Sequence, residues 1–204
     1  VVDVEDERYR LLETVRQYAR ERLVESGEEA RTRDRHLTFY VELAQRARPE
    51  ILGPKLVAWR QRLDAEHENI LLAFERAQIA PGGGAAGLAM IYGINPWFGW
   101  TYPGLWHRVI LDALAHPQAQ REDVARCRAL YVAHQVCALT GRYDEGFNFA
   151  QGSVRIARAC GDPQVLAEAL FRLGYAAAEV DREAEARAYY VEGLALARQV
   201  GNVS

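Results

Sequence analysis

The sequence is nearly without lysine: Lys55 is the only one in 204 residues, and every other basic residue is arginine. A phosphate loop of the ATPase type needs Gly-Lys-Ser or Gly-Lys-Thr, whereas this lysine stands in Pro54-Lys55-Leu56, so ATP hydrolysis by these residues is not expected. A basic surplus is also missing. Twenty-five basic residues against 28 acidic ones give a formal charge of −3 and a pI near 6.0, which argues against direct binding to nucleic acid. Cysteine is scarce and unpatterned. Cys127, Cys137 and Cys160 form an odd set without Cys-x-x-Cys spacing, which suits neither a disulfide framework nor a structural zinc site. They read as buried small apolar residues in a reducing compartment, and no metal or other cofactor is expected. No apolar run of about 18 residues is present to cross a bilayer, and no charged-then-apolar leader opens the chain. The cytoplasm is the expected location, with no membrane partner. A start at Val1 and a stop just after Gly201 suggest a segment of a longer protein.

What is present is apolar and helical in pattern. Half of the residues are hydrophobic and 26% are charged, enough for an ordered core. Val1 to Val4 and Tyr9 to Leu11 are β-prone runs flanking Glu5-Asp6-Glu7, which suits a short β-hairpin. From Leu12 onward Val15, Ala19 and Leu23 recur at helical spacing up to a stop at Gly27. A second helix is expected over 31–48, with Leu37, Tyr40, Val41 and Ala44 on one face, ending before Pro49. Gly53-Pro54 makes a further break. Leu56, Trp59 and Leu63 mark a third helix, and 64–78 a fourth. Pro81-Gly82-Gly83-Gly84 reads as a loop and flexible connector.

Beyond that loop the chain resembles itself at a fixed offset. Gly141-Arg142-Tyr143-Asp144-Glu145-Gly146 lies over Asp181-Arg182-Glu183-Ala184-Glu185-Ala186, and Gly161 lies over Gly201, an offset of 201 − 161 = 40. The same shift pairs Leu130 with Leu170 and Val154 with Leu194, and a further shift takes Val154 back to Leu114. Each unit reads as helix, short break, helix. In the last unit Asp162 and Pro163 suit an N-cap and first helical position, Asp181 a cap of the second helix, and Gly201 its end. A single helical hairpin cannot bury its apolar face, so stacking on neighbours has to supply the core. The expected fold class is therefore all-α, a solenoid of helical hairpins with a short β-hairpin at the N-terminus.

Leu173-Gly174, followed by Ala186, Tyr190 and Gly193, resemble the large-small and small-aromatic-small series of tetratricopeptide repeats. The period of 40 departs from the usual one of about 34; His134 stands in the middle unit where a small residue is usual, and Ile94 and Trp106 do so in the first unit, which is therefore degenerate. The string Arg8-Tyr9-Arg10-Leu11-Leu12-Glu13-Thr14-Val15-Arg16-Gln17-Tyr18-Ala19-Arg20-Glu21-Arg22-Leu23, with Ala65-Glu66-His67-Glu68-Asn69-Ile70, is similar to the segment that joins a winged-helix part to the repeats in bacterial signal-transduction ATPases with numerous domains. These include transcriptional regulators and cyclase-linked sensors. The resemblance implies three parts: residues 1–27 as the end of a winged-helix-like part with its linking helix, 28–80 as a helical linker or atypical first repeat region, and 85–204 as three tetratricopeptide-like repeats of about 40 residues. It also implies an ATPase core preceding Val1.

Few residues suggest chemistry. Gly82 to Gly87 fits the glycine spacing of a dinucleotide fingerprint, but a helix rather than a strand leads into it, which removes the phosphate-binding geometry. Glu66-His67-Glu68 gives His67 no ligand partner one turn away and reads as a solvated helix face. His134, near Cys137, reads as a packed histidine with a local hydrogen bond and not as half of a nucleophilic pair. Arg16, Arg20 and Arg22 alternate with Glu13, Glu21 and Glu25 as a mixed-sign surface. The segment from Trp97 to Trp106 reads either as a bulky repeat junction or as an aromatic docking surface formed by Trp97, Trp100, Tyr102 and Trp106.

Without a convergent catalytic set, an enzyme is not expected. The reading is a non-catalytic module for protein interaction and signal sensing, whose partner is a protein or peptide, including the upstream ATPase core of the same chain. A small-molecule effector bound in the groove or at the aromatic segment is the alternative. In tetratricopeptide arrays the first helix of each hairpin lines the groove. That resemblance places Glu168, Phe171 and Tyr175 there in the last unit, Arg128, Tyr131 and Gln135 in the middle one, and Asn95 in the first. Aromatic rings between an arginine and a glutamate suit an extended peptide.

Overall fold

The computed structural model describes residues 2–5, 8–95, 97 and 102–201, with side chains from Leu12 onward. Val2–Glu5 (β1) and Arg8–Leu11 (β2) pair antiparallel, in a register running from Val2↔Leu11 to Glu5↔Arg8. Glu13–Glu25 (α1) follows and stops at Gly27, whose φ of +71° is left-handed and costs glycine little. No residue of α1 is buried, and Glu13–Arg16 and Arg22–Glu25 pair along it at 2.5 and 2.7 Å, the mixed-sign surface expected there. Val1–His36 forms one compact unit and Leu37–Ser204 the other.

In the second unit the stripe Leu37, Tyr40, Leu43, Ala44, Ala47 and Ile51 of Glu29–Ile51 (α2) recurs every three or four residues and is buried. The expected stop before Pro49 is overturned, because the helix carries Pro49 inside its last turn. Burial of Ile51 holds that turn although the proline removes one backbone donor. Leu56–Ala65 (α3) and His67–Ala77 (α4) follow, separated at Glu66.

The glycine run is not a loose connector. Gly82 turns with φ +74°, and Gly83–Ile94 (α5) begins at once, with Gly83 and Gly84 buried. A Cβ at Gly83 would lie 1.9 Å from the Ala77 carbonyl oxygen, and one at Gly84 2.8 Å from the Ala119 nitrogen. Absence of a side chain therefore serves close approach of backbones.

Pro103–Ala115 (α6), a 3₁₀ turn at Pro117–Ala119, and then Val124–Leu139 (α7), Tyr143–Cys160 (α8), Pro163–Glu179 (α9) and Glu183–Gln199 (α10) complete the chain. α7 packs on α8 and α9 on α10 along their lengths, whereas α5 packs more on α7 than on its own hairpin partner α6. The 40-residue offset is visible in the backbone. Arg142 N donates to Cys137 O and Arg182 N to Ala177 O, both at 2.9 Å, and Gly141 and Asp181 share a left-handed φ of +71° and +58°. This corrects the expected role of Asp181. It forms the turn, a conformation that Asp tolerates, while Arg182 is the N-cap residue and α10 has no side-chain cap. Asp162 does cap α9, accepting from Gln164 N and Val165 N at 2.9 and 3.2 Å. One contiguous buried cluster runs from Leu37 to Ala186, as expected of an array whose hairpins share a core.

Candidate functional site

A cavity of about 590 Å³ opens along α7, α9 and α10, and residues of α2 and α5 also reach it. Of the positions expected to face a groove, Arg128, Tyr131, Glu168 and Phe171 line it. Asn95, Gln135 and Tyr175 do not. Asn95 is buried and donates from Nδ2 to Oε1 of Gln135 at 2.7 Å, so both are absorbed by the junction between α5 and α7. Tyr175 is 51% exposed and meets the His134 ring edge-on, with centroids 6.1 Å apart.

Among the lining residues that were not foreseen are Arg48, Tyr92, Arg172 and Tyr190. Arg48 comes from α2, far outside the repeats, and no spacing rule links it to them. It donates from Nη1 to the carbonyls of Asn95 and Tyr92 at 2.7 and 3.3 Å, and its Cζ lies 4.0 Å from the centre of the Tyr92 ring. Arg128 approaches the same ring at 4.7 Å, and Arg172 approaches Tyr131 at 4.6 Å. The aromatic faces thus hold guanidinium groups by cation–π attraction. Among the described residues none of the three arginines pairs with a carboxylate, and Nε of Arg128 is buried without an acceptor. Tyr190 had a signal, since it is the aromatic of the small-aromatic-small series. Its ring occupies the space left by Gly174, where a Cβ would meet ring carbons at 2.7 and 2.8 Å.

The aromatic segment turns inward. Trp97 and Trp106 are fully buried, their rings 5.1 Å apart, whereas Tyr102 is 65% exposed; Trp100 lies outside the described residues. Trp97 Nε1 donates to Asp64 Oδ1 at 2.7 Å. His67 is not the solvated residue expected. It is half-buried among Trp97, Trp106 and a stacked Tyr102, at 5.8, 5.6 and 5.5 Å, with Nε2 buried and unpaired. Glu66, beside it, accepts from Tyr40 and Asn69.

Two histidines lie between hairpin helices. His134 is buried, and its Nε2–H donates to Glu179 Oε2 at 3.1 Å, the packed arrangement expected. Burial first, and the positive charge of Arg172 second, push it down to about 4, so it is neutral at physiological pH. Burial pushes Glu179 up. His107 meets Glu145 Oε2 at 3.3 Å from Nε2, with the buried Cys137 beside them. Burial, and then the charge of Glu145, push the Cys137 thiol up to about 12, against the pull of Arg142. A thiol so placed is no nucleophile at neutral pH.

No helix among the described residues is long and apolar enough to cross a membrane. No family model and no solved structure matches the chain. Over 204 positions it is 32% identical to provisionally named HTH-type transcriptional regulators of Mycobacterium bovis and of two strains of Mycobacterium tuberculosis. The match takes in 95% of this chain, which spans 22% of the length of those relatives.

Proposed function

We propose that this chain is a non-catalytic interaction and sensing module of a larger cytoplasmic transcriptional regulator, built of tetratricopeptide-like repeats and preceded in the full protein by an ATPase core. Similarity over almost its whole length to relatives named as HTH-type regulators supports the regulatory context. The observation that carries the binding role is the cavity itself, in which Arg128, Tyr131, Glu168 and Phe171 from two successive hairpins face one space.

Its chemistry favours an extended peptide with acidic and apolar side chains. Arg48, Arg128 and Arg172 bring three positive charges against the one of Glu168, and Tyr131, Phe171 and Tyr190 supply apolar faces. Carboxylates entering there would gain charge-assisted hydrogen bonds from guanidinium groups that lack an anionic partner. The second reading, a small-molecule effector, draws on the volume, which falls within the range of metabolite pockets.

Both are tested on the purified chain. A random displayed peptide library is selected on it, the recovered peptide is titrated calorimetrically, and a metabolite collection is screened in parallel by thermal shift. Enrichment of acidic–apolar peptides that compete at the cavity supports the first reading. A metabolite that binds while no peptide is enriched replaces it with the second.

A further inference from the structure

We infer that His107, Cys137 and Glu145 form a three-ligand site for zinc, or a divalent transition ion of similar softness, between the first and second hairpins. The three come from different helices, α6, α7 and α8, and one ligand atom of each lies within 4.8 Å of the other two. His107 Nε2 and Glu145 Oε2 stand 3.3 Å apart. Around a tetrahedral zinc with bonds of about 2.0–2.2 Å to nitrogen and oxygen, two such ligands are separated by roughly 3.4 Å. Cys137 Sγ closes the triangle from the buried side.

The backbone brings them together at a close helix contact. A Cβ at Gly146 would lie 3.1 Å from Cys137 Cβ, so this glycine lets the first turn of α8 press on α7 and sets Glu145 beside the thiol. The hydrogen bond between His107 and Glu145 explains two of the three residues, but not a cysteine in the third place.

The repeat supplies an internal control. Forty residues on, the positions of His107, Cys137 and Glu145 are held by Phe147, Ala177 and Glu185, the first two buried in the core. Only at the earlier junction does the scaffold replace a ring and a methyl group with two metal-binding atoms. Sequence spacing hides the set, because the ligands are 30 and 8 residues apart and belong to no local motif.

A mixed nitrogen, sulfur and carboxylate set suits zinc better than magnesium or calcium, which take oxygen alone. On binding, the Cys137 S–H bond breaks, its proton leaves to solvent and the sulfur lone pair bonds the ion. His107 donates from Nε2 with its proton on Nδ1, and Glu145 gives up its contact with Arg142, now 3.8 Å. The fourth position opens towards the partly exposed Glu145 and takes water. Such an ion would tie α6 to α7 and α8.

Cobalt(II) replaces zinc with a visible spectrum, so the whole chain is titrated with Co²⁺ under reducing conditions. One equivalent should give tetrahedral d–d bands and a thiolate-to-cobalt charge-transfer band, both abolished by one equivalent of Zn²⁺. Cys137→Ala and His107→Phe install the residues of the next repeat; the first should lose the charge-transfer band and the second the stoichiometric binding, with the helical circular dichroism kept. Glu145→Gln, on the surface, should weaken binding if His107→Phe misfolds. A wild-type chain without the thiolate band overturns the proposal, as does a band that survives Cys137→Ala.

Discussion

Asn95 Nδ2 donates to Gln135 Oε1 at 2.7 Å, joining side chains 40 residues apart, the repeat length itself. Asn95 is buried, and its own carbonyl accepts from Arg48 at 2.7 Å, so the bond sits where α2, α5 and α7 meet. Removing one partner strands a buried amide. Gln135→Ala is expected to cost about 1–3 kcal/mol, and a double-mutant cycle with Asn95→Ala in urea unfolding should show coupling. Additive losses would mean that the bond contributes nothing.

The same pair marks what could be read in the sequence. The 40-residue offset put Asn95, Gln135 and Tyr175 in one register, and the register is real, since Arg142 and Arg182 make the same backbone bond. Periodicity cannot say, however, whether a shared position faces a groove or a neighbouring hairpin. That depends on the local approach of helices, which at the first unit differs because α5 leans on α7. The glycine run misled for a similar reason. Composition reports that a backbone is free to turn, and gives no sign of the carbonyl of Ala77 that will lie against Gly83. Arg48 and Arg172 carried no pattern at all, whereas the core stripe of α2 and the cap at Asp162 were plain in the spacing.

Gly93 faces α2 so closely that a Cβ would lie 2.6 Å from the carbonyl carbon and oxygen of Ala44. Neither backbone can yield without shifting a whole helix. Gly93→Ala should destabilise by about 1–3 kcal/mol. Gly104→Ala, in the first turn of α6 with nothing within 4 Å, should stabilise by a few tenths up to about 1 kcal/mol. Thermal melts of the two variants check both signs; an unaltered Gly93→Ala melt would refute the contact.

His134 gives the fold an acid-sensitive point. Its folded-state pKa of about 4 lies below the ordinary 6.5, so the unfolded chain binds the proton first as pH falls. The stability this burial contributes is whole above pH 6.5, declines between 6.5 and 4, and is then lost, in all about 3 kcal/mol. Glu179, raised by burial, works in the opposite direction in the range above its ordinary 4.5; the histidine, the more deeply buried of the two, sets the sign. Urea midpoints measured from pH 7.5 to 4 should fall, and His134→Gln should flatten that limb. A His134 ring resonance that titrates near 6.5 by NMR would sink the prediction.

Tyr131 and Tyr175 separate the groove from its surroundings. Tyr131 lines the cavity under the Arg172 guanidinium, 4.6 Å from its ring centre, and is partly buried. Tyr175 is more exposed yet outside the cavity, resting on His134. Exposure alone would rank Tyr175 as the binding residue; convergence with the arginines ranks Tyr131. With a peptide selected on the wild-type chain, Tyr131→Ala should weaken binding by roughly 10- to 100-fold, the scale of an aromatic anchor worth about 1.4–2.7 kcal/mol. Tyr175→Ala should stay within about a factor of two, the scatter of a peripheral contact. Tyr131→Phe keeps the ring beneath Arg172 and should retain most of the affinity, which distinguishes a lost contact from a damaged helix. Equal losses for Tyr131→Ala and Tyr175→Ala in folded protein would move the binding surface off this cavity.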